Sequence, residues 1–353
     1  MIKESIQSLV SGLDLTFRES KEIMEEIMSG SATEAQIGAF LTALRMRGET
    51  TQEISAFATV MRQFCRGINP EVKGRLVDTC GTGGDQVKTF NVSTTSAFVV
   101  AGAGVAVAKH GNRSVTSQCG SADVLESLGL NLDLEPKDVE RIIEDVGIGF
   151  MFAPKFHPAM KYAIGPRREI GIRTVFNILG PLTNPAGVKA QVLGVFSEKW
   201  LEPLAYALKD LGCEEAMVVH GVGGLDEISI IGKTSVAWLR DGKVSFMEIT
   251  PQELGFRTAK AEEISGSTPE ESAELTFKIL NNVLKPPDAK RDMVLLNAAA
   301  GIVVGGLADD LSCAVEKAAE SIESGAAYEK MKMMIRASGG DLSKLEELEE
   351  KHV

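Results

Sequence analysis

Between Leu76 and Ala108 the chain reads strand, glycine loop, helix, strand, and that order constrains everything else it can fold into. Leu76-Val77-Asp78-Thr79-Cys80 is a short run suited to a buried strand, and it leads directly into Gly81-Thr82-Gly83-Gly84-Asp85. A small-residue helix over about Thr94 to Gly102 follows, then a second strand, Val105-Ala106-Val107-Ala108. Strands joined in this way lie parallel, and a parallel sheet needs helices on its faces. The unit recurs as strand Gln191 to Phe196, helix Trp200 to Leu211 and strand Ala216 to His220. Ser235 to Ile249 differs: two alternating strands flank Asp241-Gly242, a hairpin turn signal.

The flanks of this core read as helices. Thr33-Glu34-Ala35-Gln36 and Thr50-Thr51-Gln52-Glu53 are capping boxes, each followed by apolar residues at helical spacing, and Gly48 ends the first of the two helices. No strand signal precedes Gly74, and after Thr268 the chain is mostly helical. Pro154, Pro158, Pro166, Pro181 and Pro185 interrupt the α/β pattern, as expected where the chain crosses back to the helical region. The expected class is therefore α/β. A small discontinuous all-helical domain (1–70, with about 163–187 returning to it) accompanies a large α/β domain (71–162 and 188–345). The large domain has a central, mostly parallel sheet flanked by helices, and 346–353 form an acidic tail. There is no internal repeat and no low-complexity segment.

Charge and cysteine usage narrow the function classes. The 353 residues carry 49 acids against 37 lysines and arginines, a net charge of −12 that disfavours nonspecific binding to nucleic acid or anionic lipid. The five cysteines are scattered without a CxxC pair, which fits neither a disulfide framework nor a structural zinc site. The N-terminus lacks a basic stretch followed by an apolar core, and the longest apolar or glycine run, Ala97 to Ala108, is too short to span a bilayer. A soluble, cytoplasmic protein is expected.

The first glycine loop fails two familiar fingerprints. A dinucleotide G-x-G-x-x-G starting at Gly81 needs glycine where Gln86 stands, and a Walker loop ending Gly232-Lys233-Thr234 needs glycine where Glu227 stands. What survives is a loop rich in backbone N–H groups running into a helix N-terminus crowded by Thr89, Asn91, Ser93, Thr94 and Thr95. Converging donors and the helix dipole suit an anion there; an ordinary capped turn is the alternative.

The second loop, Lys109-His110-Gly111-Asn112-Arg113-Ser114, with Thr116, Ser117 and Ser121 beyond it, has a phosphate-binding composition. Both loops should lie beyond the carboxyl ends of neighbouring strands, where open α/β sheets bind ligands. Asp226-Glu227, on the glycine-rich loop after the strand ending at His220, offers the oxygen ligands of Mg²⁺ or else is a solvated turn. Arg167, Arg168 and Arg173 either grip an acidic co-substrate or cover a helix surface. Of four histidines only His110 and His157 lie near the loops, and no Ser-His-Asp order or HExxH occurs. An enzyme of this composition works by positioning and electrostatics.

Six blocks in order, Gly81-Thr82-Gly83-Gly84-Asp85, Thr89-Phe90-Asn91-Val92-Ser93-Thr94, Lys109 to Ser114, Gly120-Ser121-Ala122-Asp123-Val124-Leu125, Arg173 to Asn177 through Asn184-Pro185, and Asp226-Glu227, make the chain resemble the anthranilate phosphoribosyltransferases over roughly residues 1 to 340. The resemblance implies a nucleoside phosphorylase-like fold. It also implies transfer of the phosphoribosyl group of 5-phosphoribosyl 1-diphosphate to the amine of anthranilate, the second step of tryptophan biosynthesis. By matching position, it implies phosphoribosyl diphosphate binding by Gly81, Gly84, Asp85, Thr89, Asn91, Val92, Ser93, Thr94, Lys109, His110, Gly111, Asn112, Arg113, Ser114, Val115, Thr116, Ser117 and Ser121. Anthranilate is expected against Gly81, Asn112, Arg167, His110 and His157, with Arg167 on its carboxylate. Two Mg²⁺ ions are expected on Ser93, Asp226 and Glu227. No acid or base is assigned; Asp85 and His110 are the candidates. A homodimer joined through the helical domains is expected, with no nucleic-acid or membrane partner.

The chain departs from the family pattern at Gln86, Gln118 and Gly223. Two rivals share the fold. A pyrimidine nucleoside phosphorylase would have no need of the acidic pair, and a non-catalytic nucleic-acid-binding relative would be expected to carry a basic surface.

Overall fold

The structure, a computed structural model, describes residues 1–84, 87, 89–114, 119–266 and 268–352. Asp85, Gln86, Val115, Thr116, Ser117 and Gln118, all singled out in the sequence, lie outside the described residues.

The first sixty-odd residues form four helices, α1 (Ile2–Val10), α2 (Phe17–Met28), α3 (Glu34–Arg47) and α4 (Thr51–Gln63). Threonine capping boxes open α2, α3 and α4, at Thr16, Thr33 and Thr50. Each cap satisfies backbone donors that would otherwise be orphaned, worth about 1 kcal/mol. Glu53, the third residue of α4, does more than cap. It is fully buried, accepts from the backbone of Leu15 (2.9 Å) and Thr50 (2.8 Å), and pairs with Arg47. Phe40 and Phe57 pack edge to face inside this unit, 6.0 Å between ring centroids.

The remainder is a seven-stranded sheet of order β3-β2-β1-β4-β5-β6-β7. The first βαβ unit is β1 (Val77–Gly81), α5 (Val92–Gly102) and β2 (Val107–Gly111). Helices α6 (Ser121–Ser127) and α7 (Pro136–Val146) lead to β3 (Ile148–Phe152). The chain then runs through α8 (Ala153–Phe156), α9 (Lys161–Ile170) and α10 (Phe176–Leu179) to β4 (Ala190–Gly194), α11 (Leu201–Asp210) and β5 (Glu215–Gly221). These five strands pair in parallel. The predicted hairpin follows as β6 (Thr234–Arg240) and β7 (Lys243–Ile249), both antiparallel, with Asp241 and Gly242 at positive φ in the turn. Helices α12 (Pro269–Leu280), α13 (Ala289–Val304), α14 (Leu311–Glu323), α15 (Ala326–Ala337) and α16 (Ser343–His352) complete the chain.

Helix α5 is buried almost all round, as its small apolar sequence requires. It packs against α13 and α15 on one face of the sheet. The opposite face is covered by α11, which packs in turn on α4; Leu193, Val195, Ala216, Val218, Ala237 and Leu239 share one apolar cluster with α1 to α4, α9, α10 and α11. Arg62 of α4 donates to the carbonyl of Leu182 (2.7 Å), and Ser55 donates to Asp210 of α11 (2.9 Å).

Two readings need correction. The second strand begins at Val107 rather than Val105, because Gly104 and its neighbours still turn out of α5. Residues 346–352, read as a tail, belong to a docked helix: Leu345 is buried, Glu349 accepts from the Tyr328 hydroxyl (2.6 Å), and Lys351 bonds Glu274 of α12 (2.6 Å). Their acidity is a solvated face over an anchored one.

Candidate active site

Strands β1, β2, β4 and β5 are parallel, so their carboxyl ends share one edge, and the loops leaving them meet there. The first loop leaves β1 at Gly81. Gly83 and Gly84 both have positive φ (+67° and +81°), a conformation that admits glycine and few other residues. Three partners hold this loop. The Thr82 N–H donates to the Gly194 carbonyl (2.9 Å), the Gly83 N–H donates to Asp226 Oδ2 (2.7 Å), and the Arg173 guanidinium donates to the Gly84 carbonyl (2.7 Å) while stacking on Phe196. Asp226, from the turn after β5, is thus brought against the glycine loop of β1, 8% exposed.

Lys109 of β2 is buried at 3% exposure. Its ammonium donates to the Thr79 carbonyl (2.6 Å) and to Ser93 Oγ in the first turn of α5 (3.4 Å). Burial lowers its pKa, and the negative charges of Asp78 and Glu227 oppose that. Ser93, Lys109 and Glu227 therefore share one electrostatic neighbourhood. Lys109 is held beneath the loop by Thr79 and Ser93. Arg113 is held as well: its guanidinium forks onto Glu126 (2.7 and 2.8 Å), reaches Asp123 (3.1 Å) and stacks on Phe152. Both cations of the second loop bond to protein groups, Lys109 in the interior and Arg113 at the exposed surface.

Around them, Gly111 lets Ser121 and Phe150 approach: a Cβ there would meet Ser121 Oγ at 2.4 Å. The Ser114 N–H donates to Asp123 (3.1 Å), and the Asn112 carbonyl accepts from Ala122 (3.2 Å). Thr89 forms an antiparallel bridge with Ser265. Val92 and Thr94 point into the core, so Val92 has only its backbone to offer a ligand. Asn91 stands at the N-cap of α5 without a side-chain cap bond.

His110 and His157 face each other, ring centroids 5.0 Å apart. Burial pushes His110 down to about 3, helped by His157, and pushes His157 down to about 4. Both imidazoles are neutral at physiological pH, and each buries an Nε2 without a hydrogen-bond partner among the described residues. A base with pKa near 3 has little driving force at neutral pH, so His110 serves here as a neutral polar wall. Arg167 lies half-buried over the Phe176 ring (5.1 Å), its pKa lowered by burial, and among the described residues no carboxylate pairs with it. Arg168 is exposed.

The sequence reading passed over Asp78 and Asn184. Asp78 is fully buried beneath the site and its carboxyl is pushed up to about 6, by burial first, with Lys109 and Asn184 opposing. Asn184 Nδ2 donates to Asp78 Oδ2 (2.7 Å) and to the Ala108 carbonyl (2.8 Å), while its Oδ1 accepts from Ala186 (2.9 Å). The Asn-Pro stretch thereby staples β1 to β2. A polar residue inside an otherwise apolar strand, as Asp78 is, was the available signal.

Among the described residues no three His, Cys, Asp or Glu side chains cluster as a metal site. Asp226, Glu227 and Ser93 Oγ are hard oxygen donors at one edge, and two carboxylates beside an anion-suited loop fit Mg²⁺, which takes only one or two protein carboxylates beside phosphate oxygens.

Residues 73–328 match the glycosyl transferase family a/b domain, and residues 3–65 match the glycosyl transferase family helical bundle domain. The anthranilate phosphoribosyltransferase of Alkaliphilus metalliredigens is 52% identical over 339 residues, covering 96% of this chain and 98% of that protein. The chain belongs to the anthranilate phosphoribosyltransferase family. Its relative from Pelotomaculum thermopropionicum is 53% identical over 96% of this chain and 97% of its own. Among solved structures, the anthranilate phosphoribosyltransferase of Thermus thermophilus superposes with a TM-score of 0.89 at 41% identity, covering 95% and 99% of the two chains. The Saccharomyces cerevisiae anthranilate phosphoribosyltransferase in complex with PRPP and Mg gives 0.88 at 27% identity, covering 96% and 98%.

Proposed function

We propose that this protein is the Mg²⁺-dependent enzyme that transfers the phosphoribosyl group of 5-phosphoribosyl 1-diphosphate to the amine of anthranilate, releasing diphosphate. The observation that carries the reading is the meeting of Asp226, the β1 glycine loop and the N-terminal turn of α5 at one sheet edge. The amine lone pair forms the N–C1 bond as the C1–O bond to diphosphate breaks, and the amine gives up a proton. Anthranilate's amine is already unprotonated near neutrality, so this chain need supply no strong base, in keeping with the neutral His110 and His157.

The residues divide the remaining work. Backbone donors of the glycine loop and of the α5 N-terminus favour the negative charge that grows on the leaving group. Ser93, Asp226 and Glu227 would hold Mg²⁺, two ions per subunit, whose chemistry when bound is to neutralise diphosphate. Arg167, without a carboxylate of its own among the described residues, grips that of anthranilate, with Gly81, Asn112, His110 and His157 around the ring. The carboxylate pair disfavours a nucleoside phosphorylase, and the charge of −12 disfavours a nucleic-acid binder. We further assign residues 1–70 and about 163–187 to one helical unit through which two subunits pair, and the cytoplasm as the compartment. No helix among the described residues is long and apolar enough to cross a membrane.

Anthranilate fluorescence tests the reading. A decay that requires both 5-phosphoribosyl 1-diphosphate and Mg²⁺, and that falls at least about 100-fold in an Asp226→Asn, Glu227→Gln double variant, is expected. A folded protein with no such decay refutes it.

A further inference from the structure

Three neighbouring strands of the sheet, β1, β4 and β5, end at the site on glycine: Gly81, Gly194 and Gly221. Gly81 and Gly194 are register partners and so lie side by side. None of the three has a positive φ, so backbone conformation does not reserve these positions for glycine. Space does. A Cβ on Gly194 would lie 1.5 Å from the carbonyl oxygen of Asp226 and 2.3 Å from its carbonyl carbon. On Gly81 it would lie 2.3 Å from Asp226 Oδ2, and on Gly221 it would lie 2.7 Å from the carbonyl oxygen of Glu227. The turn after β5 therefore folds back and lies flat on a floor made of bare backbone.

The three contacts are not equivalent. Gly81 meets the end of a side chain, which can swing aside, whereas Gly194 and Gly221 meet main chain, which yields only if the whole turn lifts. We infer that this glycine floor, Gly194 foremost, positions the Asp226–Glu227 pair and thereby sets how tightly the site holds a divalent cation. Mg²⁺ demands near-ideal geometry at about 2.0–2.1 Å, so a turn raised by one methyl group presents its carboxylates from the wrong height. Lifting the turn also breaks the Gly83–Asp226 hydrogen bond that ties the pair to the β1 loop. Gly81, Gly194 and Gly221 are positioning residues, and the inference rests on reading Asp226 and Glu227 as metal carboxylates.

Binding of Mn²⁺ in the presence of inorganic diphosphate, followed by the electron paramagnetic resonance of free Mn²⁺, separates the two readings. Full-length wild type, Gly194→Ala, Gly81→Ala and the Asp226→Asn, Glu227→Gln double variant are compared. Gly301→Ala serves as a packing control: its Cβ would meet the Val100 side chain at 2.6 Å, and no atom of Asp226 or Glu227 is among its nearest neighbours. Gly194→Ala is expected to weaken Mn²⁺ binding by about tenfold or more, as disturbed support of a metal ligand does. Gly301→Ala is expected to lower the melting temperature and leave Mn²⁺ affinity unchanged. A folded Gly194→Ala with wild-type Mn²⁺ affinity overturns the inference while the double variant still loses the metal. If Gly194→Ala does not fold, Gly81→Ala decides by the same criterion, since its Cβ meets the Asp226 carboxylate first (2.3 Å) and the main-chain carbonyl of Asp226 only at 3.3 Å. A double variant that binds Mn²⁺ as wild type does overturns the metal reading itself, and the inference with it.

Discussion

Replacing Asn184 by alanine removes the staple between β1 and β2 and takes a donor from two buried acceptors, Asp78 Oδ2 and the Ala108 carbonyl, while Asp78 Oδ1 keeps the His110 N–H (3.4 Å). Each lost donor costs about 1–3 kcal/mol, which gives a loss of roughly 2–6 kcal/mol. At about 2.1 cal/mol/K of unfolding entropy per residue, that corresponds in a chain of this size to a melting temperature lower by roughly 3–8 °C. The loss should also depend on pH in a definite direction. The Asp78 carboxyl stands at about 6 in the folded protein against an ordinary 3.8. A group whose folded pKa is raised contributes most below its unfolded pKa, and that contribution is lost as pH rises through the folded value, about 3 kcal/mol in all. The Asn184 hydrogen bond favours the ionised form, so removing it pushes the carboxyl higher and extends the loss above pH 6. Thermal unfolding of wild type and Asn184→Ala at pH 5 and pH 8 is the assay, and the histidine contributions cancel in the difference. The deficit of the variant should be larger at pH 8. An equal deficit at both pH values, or a larger one at pH 5, refutes the account.

Three further outcomes follow from the same geometry. Arg167→Gln should raise the KM for anthranilate about tenfold or more and leave that for 5-phosphoribosyl 1-diphosphate nearly unchanged, because a carboxylate loses its charged fork; steady-state kinetics with each substrate varied would show it. Arg47→Met should destabilise the protein by about 3–5 kcal/mol in denaturant unfolding, since Glu53 would then be a buried charge without its partner. His110 and His157, held at about 3 and 4, bind fewer protons folded than unfolded, so their contribution to stability is present above about pH 6.5 and is lost as pH falls toward 4. A variant with both replaced by glutamine should accordingly lose less stability between pH 6.5 and 4.5 than wild type does, by thermal melting.

The elements were legible where one local rule governs them. Thr33 and Thr50 each signal a helix start through a box of four residues, and Asp241-Gly242 signals a turn that only a hairpin accepts. The site's edge was legible for the same reason, since strand ends, glycines and clustered hydroxyls all lie close together along the chain. Contacts between distant segments were not. Nothing local distinguishes Lys109, turned inward onto Thr79, from a lysine reaching for phosphate, nor foretells that Arg113 is taken by Glu126. The Asp78–Asn184 bond joins positions 106 residues apart, and β3 was hidden because Ile148-Gly149-Phe150-Met151-Phe152 is as apolar as a helix segment of equal length.

The apolar cluster that encloses α1 to α4 is completed by Ala163 of α9, Phe176 and Leu179 of α10, and Leu201, Leu204 and Leu208 of α11. Those residues emerge from the ribosome long after Gln63, the last of α4. At about 5–20 residues per second, the roughly 145 positions from 63 to 208 take roughly 7–29 seconds to synthesise. During that interval the nascent helices hold Phe40, Phe57 and Ile54 without the surface that closes over them. The order of synthesis thus leaves the first helices waiting on later ones, a window in which a chaperone, or another nascent chain, meets the same apolar face that α9, α10 and α11 will later cover.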